Sequence, residues 1–112
     1  MSAETGDARI RVPDQVVRGE LITVNAIVSH PMDTGFFRTR AGEPIPAWFV
    51  KDVVVRYGGT EVARFAWTSG VSRDPMITFP LRADHEGPLE ITWTDTEGSV
   101  FRQSVPIAFA AA

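Results

Sequence analysis

Leu21-Ile22-Thr23-Val24-Asn25-Ala26-Ile27-Val28-Ser29 is the stretch whose reading decides the fold. Ile22, Val24, Ala26 and Val28 hold one phase of a two-residue alternation, Thr23, Asn25 and Ser29 hold the other, and Leu21 and Ile27 break the polar side. Successive side chains of an extended chain point to opposite faces, so this is a strand with one face in a core and one in water. Upstream, Ala8-Arg9-Ile10-Arg11-Val12 is a shorter alternating segment stopped by Pro13-Asp14, and Arg18-Gly19-Glu20 turns the chain towards the long strand. Downstream, Trp48 to Tyr57 places Phe49, Val53, Val55 and Tyr57 in one phase and ends at Gly58-Gly59. A Gly-Gly pair between two alternating runs is a hairpin signal, and the returning run is Glu61 to Trp67, with Ala63, Phe65 and Trp67 inward.

The same reading continues to the end of the chain. Met76 to Arg82 alternates Ile77, Phe79 and Leu81 against Met76, Thr78 and Arg82, and Pro80 on the outer phase marks an edge or a bulge. Leu89 to Thr94 turns Leu89, Ile91 and Trp93 inward, and Asp95-Thr96-Glu97-Gly98 leads into Ser99 to Ile107. Seven short strands with no helical window in 112 residues predict an all-β fold, an immunoglobulin-like antiparallel β-sandwich, although a barrel accommodates the same strands. Residues 1–7 read as a flexible tail, residues 8–109 as one domain, and Ala110-Ala111-Ala112 as a frayed end.

Composition narrows the function. A net charge of −3 and 22% charged residues lack the basic excess that a nucleic-acid groove needs, and no segment calls for a lipid. With no cysteine, the chain has no thiolate nucleophile or thiolate zinc ligand, and it cannot carry a substrate on sulfur. The first residues are polar and acidic, so the expectation is that they carry no export signal.

Few side chains could carry chemistry. His30, Asp33, Asp84, His85 and Glu86 are the candidates for an enzyme or metal site, but two histidines in different segments do not make a metal-ligand spacing. His85 reads as an exposed turn residue, and His30 as a ring packed at a strand end and bonded to a backbone carbonyl. Asp95-Thr96-Glu97-Gly98 is too short for a calcium loop and reads as a β-turn, while Ser29, Ser69 and Ser72 lack a nucleophile-elbow context. Trp67 and Trp93 fall on inward phases, whereas Trp48 follows a loop and is free to be exposed. The expectation is therefore a chain with no catalytic residue, no metal and no cofactor.

The loop between Ser29 and Trp48 is the most distinctive segment. It has no steady period, yet it holds Met32, Phe36, Phe37, Ile45 and Trp48, too apolar a set to be left in water. Ten of the eleven basic residues are arginine, the side chain suited to forked recognition of carboxylates and oxyanions, and Arg38 and Arg40 lie in this loop. Either the loop folds back on the core or it meets another chain. His30, Met32, Arg38, Arg40, Ile45 and Trp48 are the candidate partner-binding residues. A stand-alone module for a small anion or sugar is the alternative from another class.

The order and spacing of Ser29-His30, Met32, Gly35, Gly42, Ile45-Pro46, Gly58-Gly59, Gly70-Val71-Ser72, Pro75, Trp93, Asp95 and Gly98 resemble the SoxZ family of bacterial sulfur oxidation. The resemblance implies an immunoglobulin-like sandwich that does no chemistry. It implies a heterodimer with a SoxY-like subunit, whose C-terminal cysteine carries the sulfur substrate of thiosulfate oxidation, and export to the periplasm with that signal-bearing partner. It also leaves open a SoxYZ-like carrier beside a quinoprotein dehydrogenase, and a homodimer when the chain is alone. Two positions depart from the family pattern: Asp74 stands before Pro75 where asparagine is usual, and Phe36-Phe37 stands where polar residues are usual.

Overall fold

The inward phases along the chain belong to two sheets. A computed structural model describes residues 4–110, with strands β1 (Ala8–Arg11), β2 (Glu20–Val28), β3 (Val50–Tyr57), β4 (Thr60–Ala66), β5 (Met76–Ala83), β6 (Gly87–Asp95) and β7 (Val100–Ile107). One sheet has the order β1-β2-β5 and the other β4-β3-β6-β7, all neighbours antiparallel. Two separate sheets make a sandwich and remove the barrel alternative. Among the described residues no helix is long and apolar enough to cross a membrane.

Ile22, Val24, Ala26 and Val28 of β2 face Val53, Val55 and Tyr57 of β3 and Leu89, Ile91 and Trp93 of β6 in one core cluster. Burying such side chains stabilises the fold by about 1.5–3 kcal/mol each before conformational entropy is subtracted. Pro80 lies on β5, an edge strand, where the missing N–H costs no ladder bond. At the hairpin, Gly58 and Gly59 have φ of 59° and 85° between the paired Tyr57 and Thr60. A two-residue turn with both φ positive matches the strand twist, and glycine reaches it without steric cost.

The strand directions gather four segments at one end of the sandwich. These are residues 4–7, the β2–β3 loop, the β4–β5 loop and the β6–β7 turn. Gly6 N–H donates to Ser29 O at 2.7 Å and Ser29 N–H to Asp7 O at 2.8 Å, so residues 6 and 7 are tied to the start of the β2–β3 loop. Residues 1–3 and 111–112, parts of the expected tail and frayed end, lie outside the described residues.

Candidate functional site

The site is built on Asp95, the last residue of β6. It continues the inward phase of Leu89, Ile91 and Trp93, so a carboxylate enters the interior, where no surface of it remains accessible. An ionised group there needs several hydrogen bonds to offset the lost hydration. Asp95 Oδ1 accepts from the N–H groups of Glu97 (3.0 Å) and Ser99 (2.9 Å), closing the β6–β7 turn. Oδ2 accepts from Trp48 Nε1 at 2.8 Å and lies 3.2 Å from His30 Nε2. Burial pushes this carboxyl upward, but the bonds from Trp48, His30, Ser99 and Glu97 together outweigh it and hold Asp95 below the usual carboxylate value.

His30, only 1% exposed, is fixed from both sides. Its Nδ1 accepts from Met32 N–H at 3.2 Å, so in the neutral ring Nε2 carries the hydrogen and donates to Asp95. Its backbone is clamped by Asp74: His30 N–H donates to Asp74 Oδ1 and Asp74 N–H to His30 O, both at 2.9 Å. The His30 ring meets the Trp48 ring edge-on, with centroids 4.7 Å apart. Met32 and Asp74 have φ of 53° and 50°, a conformation costing non-glycine residues on the order of 1–2 kcal/mol. Aspartate and asparagine tolerate it best and both offer an Oδ1 acceptor, which gives the departure at position 74 a physical reading.

Two consequences are measurable. Asp74→Ala removes the acceptor of a partly buried N–H and should lower unfolding free energy by about 1–2 kcal/mol in urea titrations, whereas Asp74→Asn should cost under about 0.5 kcal/mol. Equal losses would show that the Oδ1 bond contributes nothing. For Asp95, a folded pKa below the unfolded one means that its contribution is complete above the unfolded value near ~3.9 and is lost as pH falls through the folded value. Stability should therefore be level in this respect above about pH 5 and decline below about pH 4, and Asp95→Asn should remove that part of the slope.

From this anchor the loop leaves as a bridged finger. Asp33 and Trp48 exchange backbone hydrogen bonds at its base (2.7 and 2.9 Å), Ile45 N–H donates to Phe37 O, and Thr39 N–H to Glu43 O at the tip. At Gly35 (φ 88°) a Cβ would come 3.2 Å from Ala47 Cβ and 3.3 Å from its N, so the close crossing of the two arms requires glycine. Arg38 Nη1 donates to Gly42 O at 2.9 Å, and Arg40 is exposed at the tip. Phe36 and Phe37 are 87% and 66% exposed.

The structure corrects part of the expected interface. His30 and Met32 (4% exposed) lie in the interior and cannot touch a partner across the present surface; their role is to shape the finger. Trp48 and Ile45 are half-buried, and Trp48 belongs to the base of the finger rather than to β3. Arg38 and Arg40 are on the surface, as are Phe36 and Phe37. The expected backbone-carbonyl partner of His30 is instead the buried Asp95 carboxylate. Asp95 was missed as a site residue because its turn context hid its inward phase, and that phase was the signal that could have found it.

The remaining chemical candidates do not come together. His85 and Asp84 sit at the opposite end of the sandwich from His30 and Asp33. His85 is exposed; it stacks on Tyr57 with centroids 4.0 Å apart and bonds Asp84 through Nδ1 at 2.7 Å. The Tyr57 hydroxyl donates to the His85 carbonyl, and Glu86 Oε2 accepts from Phe109 N–H. Among the described residues no three His, Cys, Asp or Glu side chains form a metal-holding group.

The family model described as sulphur oxidation protein SoxZ matches residues 10–106, from within β1 to within β7 and so through the whole finger. The chain belongs to the SoxZ family. No curated protein is significantly similar to it. Several solved structures share its fold. The superoxide reductase (neelaredoxin) of Ignicoccus hospitalis is 18% identical with a TM-score of 0.70, covering 95% of this chain and 82% of that one. A putative superoxide reductase from Thermotoga maritima is 16% identical with a TM-score of 0.71, over 96% and 89%. The sulfur carrier protein SoxY from Chlorobium limicola is 15% identical with a TM-score of 0.63, over 93% and 79%. At these identities the likeness is one of fold.

Proposed function

We propose that this member of the SoxZ family is the non-catalytic subunit of a SoxYZ-type carrier, binding and shielding a SoxY-like protein whose C-terminal cysteine holds the sulfur substrate during periplasmic thiosulfate oxidation. The observation that carries this reading is the finger: two adjacent phenylalanines stand in water on a segment pinned by bridges and a buried carboxylate. Exposed aromatics on a preorganised support suit protein association, because little ordering is left to be done on binding. Phe36 and Phe37 therefore form the apolar centre of the contact, and Arg38, Arg40 and Ile45 border it. The histidine–carboxylate pair, the one arrangement resembling an acid–base dyad, is dry and engaged in holding the finger.

Co-expression with a cysteine-bearing SoxY-like protein tests the proposal. The pair should co-purify as a heterodimer, and the isolated chain should show no heat of binding with thiosulfate, sulfate or simple sugars in titration calorimetry. Binding of such a small molecule, with no complex formed, would favour a stand-alone binding module. Self-association of the isolated chain through the finger should disappear when the partner is added.

A further inference from the structure

The outward face of the three-stranded sheet takes no part in the finger or in the His30–Asp95 pair. Register places Arg9 of β1 beside Ile27 of β2 and Ile27 beside Met76 of β5, while Arg11 lies beside Asn25. A groove of about 410 Å³ runs over these residues. Met76 is 64% exposed and Ile27 39%, and Leu21 extends the apolar strip along β2. The outward strand positions on this face include Arg9, Arg11 and Arg82 and no carboxylate, although the whole chain has a net charge of −3. The nearest acid, Asp7, continues the phase of Arg9 just before β1, and its Oδ2 accepts from Glu4 N–H at 3.0 Å. Arg82 donates to Gly19 O at 2.9 Å; among the described residues no carboxylate pairs with Arg9 or Arg11.

An apolar strip alone would accept many occupants, but unpaired guanidiniums beside it select for charge. Within a Debye length the local field governs, so this face attracts anions even on an acidic protein. A second copy of the chain is a poor match face to face, because a two-fold contact would set Arg9 and Arg11 against an equally basic surface. Two residues apart on one strand, Arg9 and Arg11 are separated by roughly 7 Å, the spacing of alternate side chains in any extended peptide. We infer that this face docks an extended acidic segment of a partner protein. Carboxylates at alternate positions meet Arg9 and Arg11 through forked hydrogen bonds, and an aliphatic side chain between or beside them covers Ile27 and Met76. The site is separate from the finger and does not depend on the carrier reading.

Selection of short random peptides displayed against the immobilised chain tests this, with Arg9→Glu/Arg11→Glu as the counter-target. Selected peptides should carry Asp or Glu at alternate positions together with aliphatic residues. A synthetic copy of one should bind about tenfold or more weakly to the charge-reversed chain and to Met76→Ser, more weakly in high salt, and unchanged to Phe36→Ala/Phe37→Ala. Arg9→Gln/Arg11→Gln replaces the reversed pair if that variant fails to melt cooperatively. Absence of enrichment over the counter-target, peptides without acidic residues, or affinity that follows the finger substitutions would overturn the inference. So would equal binding of inorganic sulfate or of a DNA oligonucleotide to the same arginines.

Discussion

Phe36→Ala/Phe37→Ala should weaken binding of a SoxY-like partner by about 100-fold or more while leaving the melting temperature within a few degrees of the parent. Phe36 is almost entirely in water and Phe37 about two-thirds so in the isolated chain, so folding loses little by their removal. In a complex, fully desolvated aromatic anchors typically cost 2 kcal/mol or more each on truncation, and every 1.4 kcal/mol is about a factor of ten. The loss should appear mainly as faster dissociation, since these residues act after encounter. Arg38→Ala/Arg40→Ala is the contrasting variant. At the rim it should slow association and reduce salt dependence, with a smaller effect on affinity. Undiminished affinity in the phenylalanine variant, with the fold intact, would remove the finger from the interface.

The largest stability effect is expected at Asp95. Asp95→Ala takes the acceptor from Trp48 Nε1, His30 Nε2 and the N–H groups of Glu97 and Ser99 at once, orphaning the His30 donor in the interior and the other three in partly buried positions. At about 1 kcal/mol for each bond, and more for an orphaned buried donor, the sum is about 3–5 kcal/mol. That is a large share of the 5–15 kcal/mol typical of a domain, and should lower the melting temperature by roughly 10–20 °C. Asp95→Asn keeps one carbonyl oxygen and should lose about half as much. Partner binding should fall in both variants in step with loosening of the finger, read as faster amide exchange at Asp33 and Trp48. If Asp95→Ala melted like the parent, the buried network would not be what holds the finger.

Much of the fold was legible because period-two alternation is a local property. The phase of Ile22, Val24, Ala26 and Val28, and that of Leu89, Ile91 and Trp93, marked the inner faces directly, and the Gly58-Gly59 turn marked the hairpin. The ends were less legible. Trp48 and Phe49 continue an apolar run, yet Trp48 pairs with Asp33 because its indole is drawn to Asp95, 47 residues away. The finger lacks a period because its two bridges, Asp33 with Trp48 and Arg38 with Pro44, are offset by one residue and its arm carries Phe36 and Phe37 outward, a pattern that burial does not select.

By itself, then, the sequence determined the strand count, the inward faces, the hairpin, the lack of thiol chemistry and the resemblance to the SoxZ family. Each of these follows from neighbours in the chain or from composition. Only the tertiary structure decided that His30 is bonded to a carboxylate, that Asp74 clamps it, and that Phe36 and Phe37 stand in water. Those facts depend on antiparallel pairing that brings residues 30, 74 and 95 to one end of the sandwich. No local pattern encodes a contact across 44 or 65 residues, because the hydrogen bonds that make it exist only once the two sheets have closed on their core.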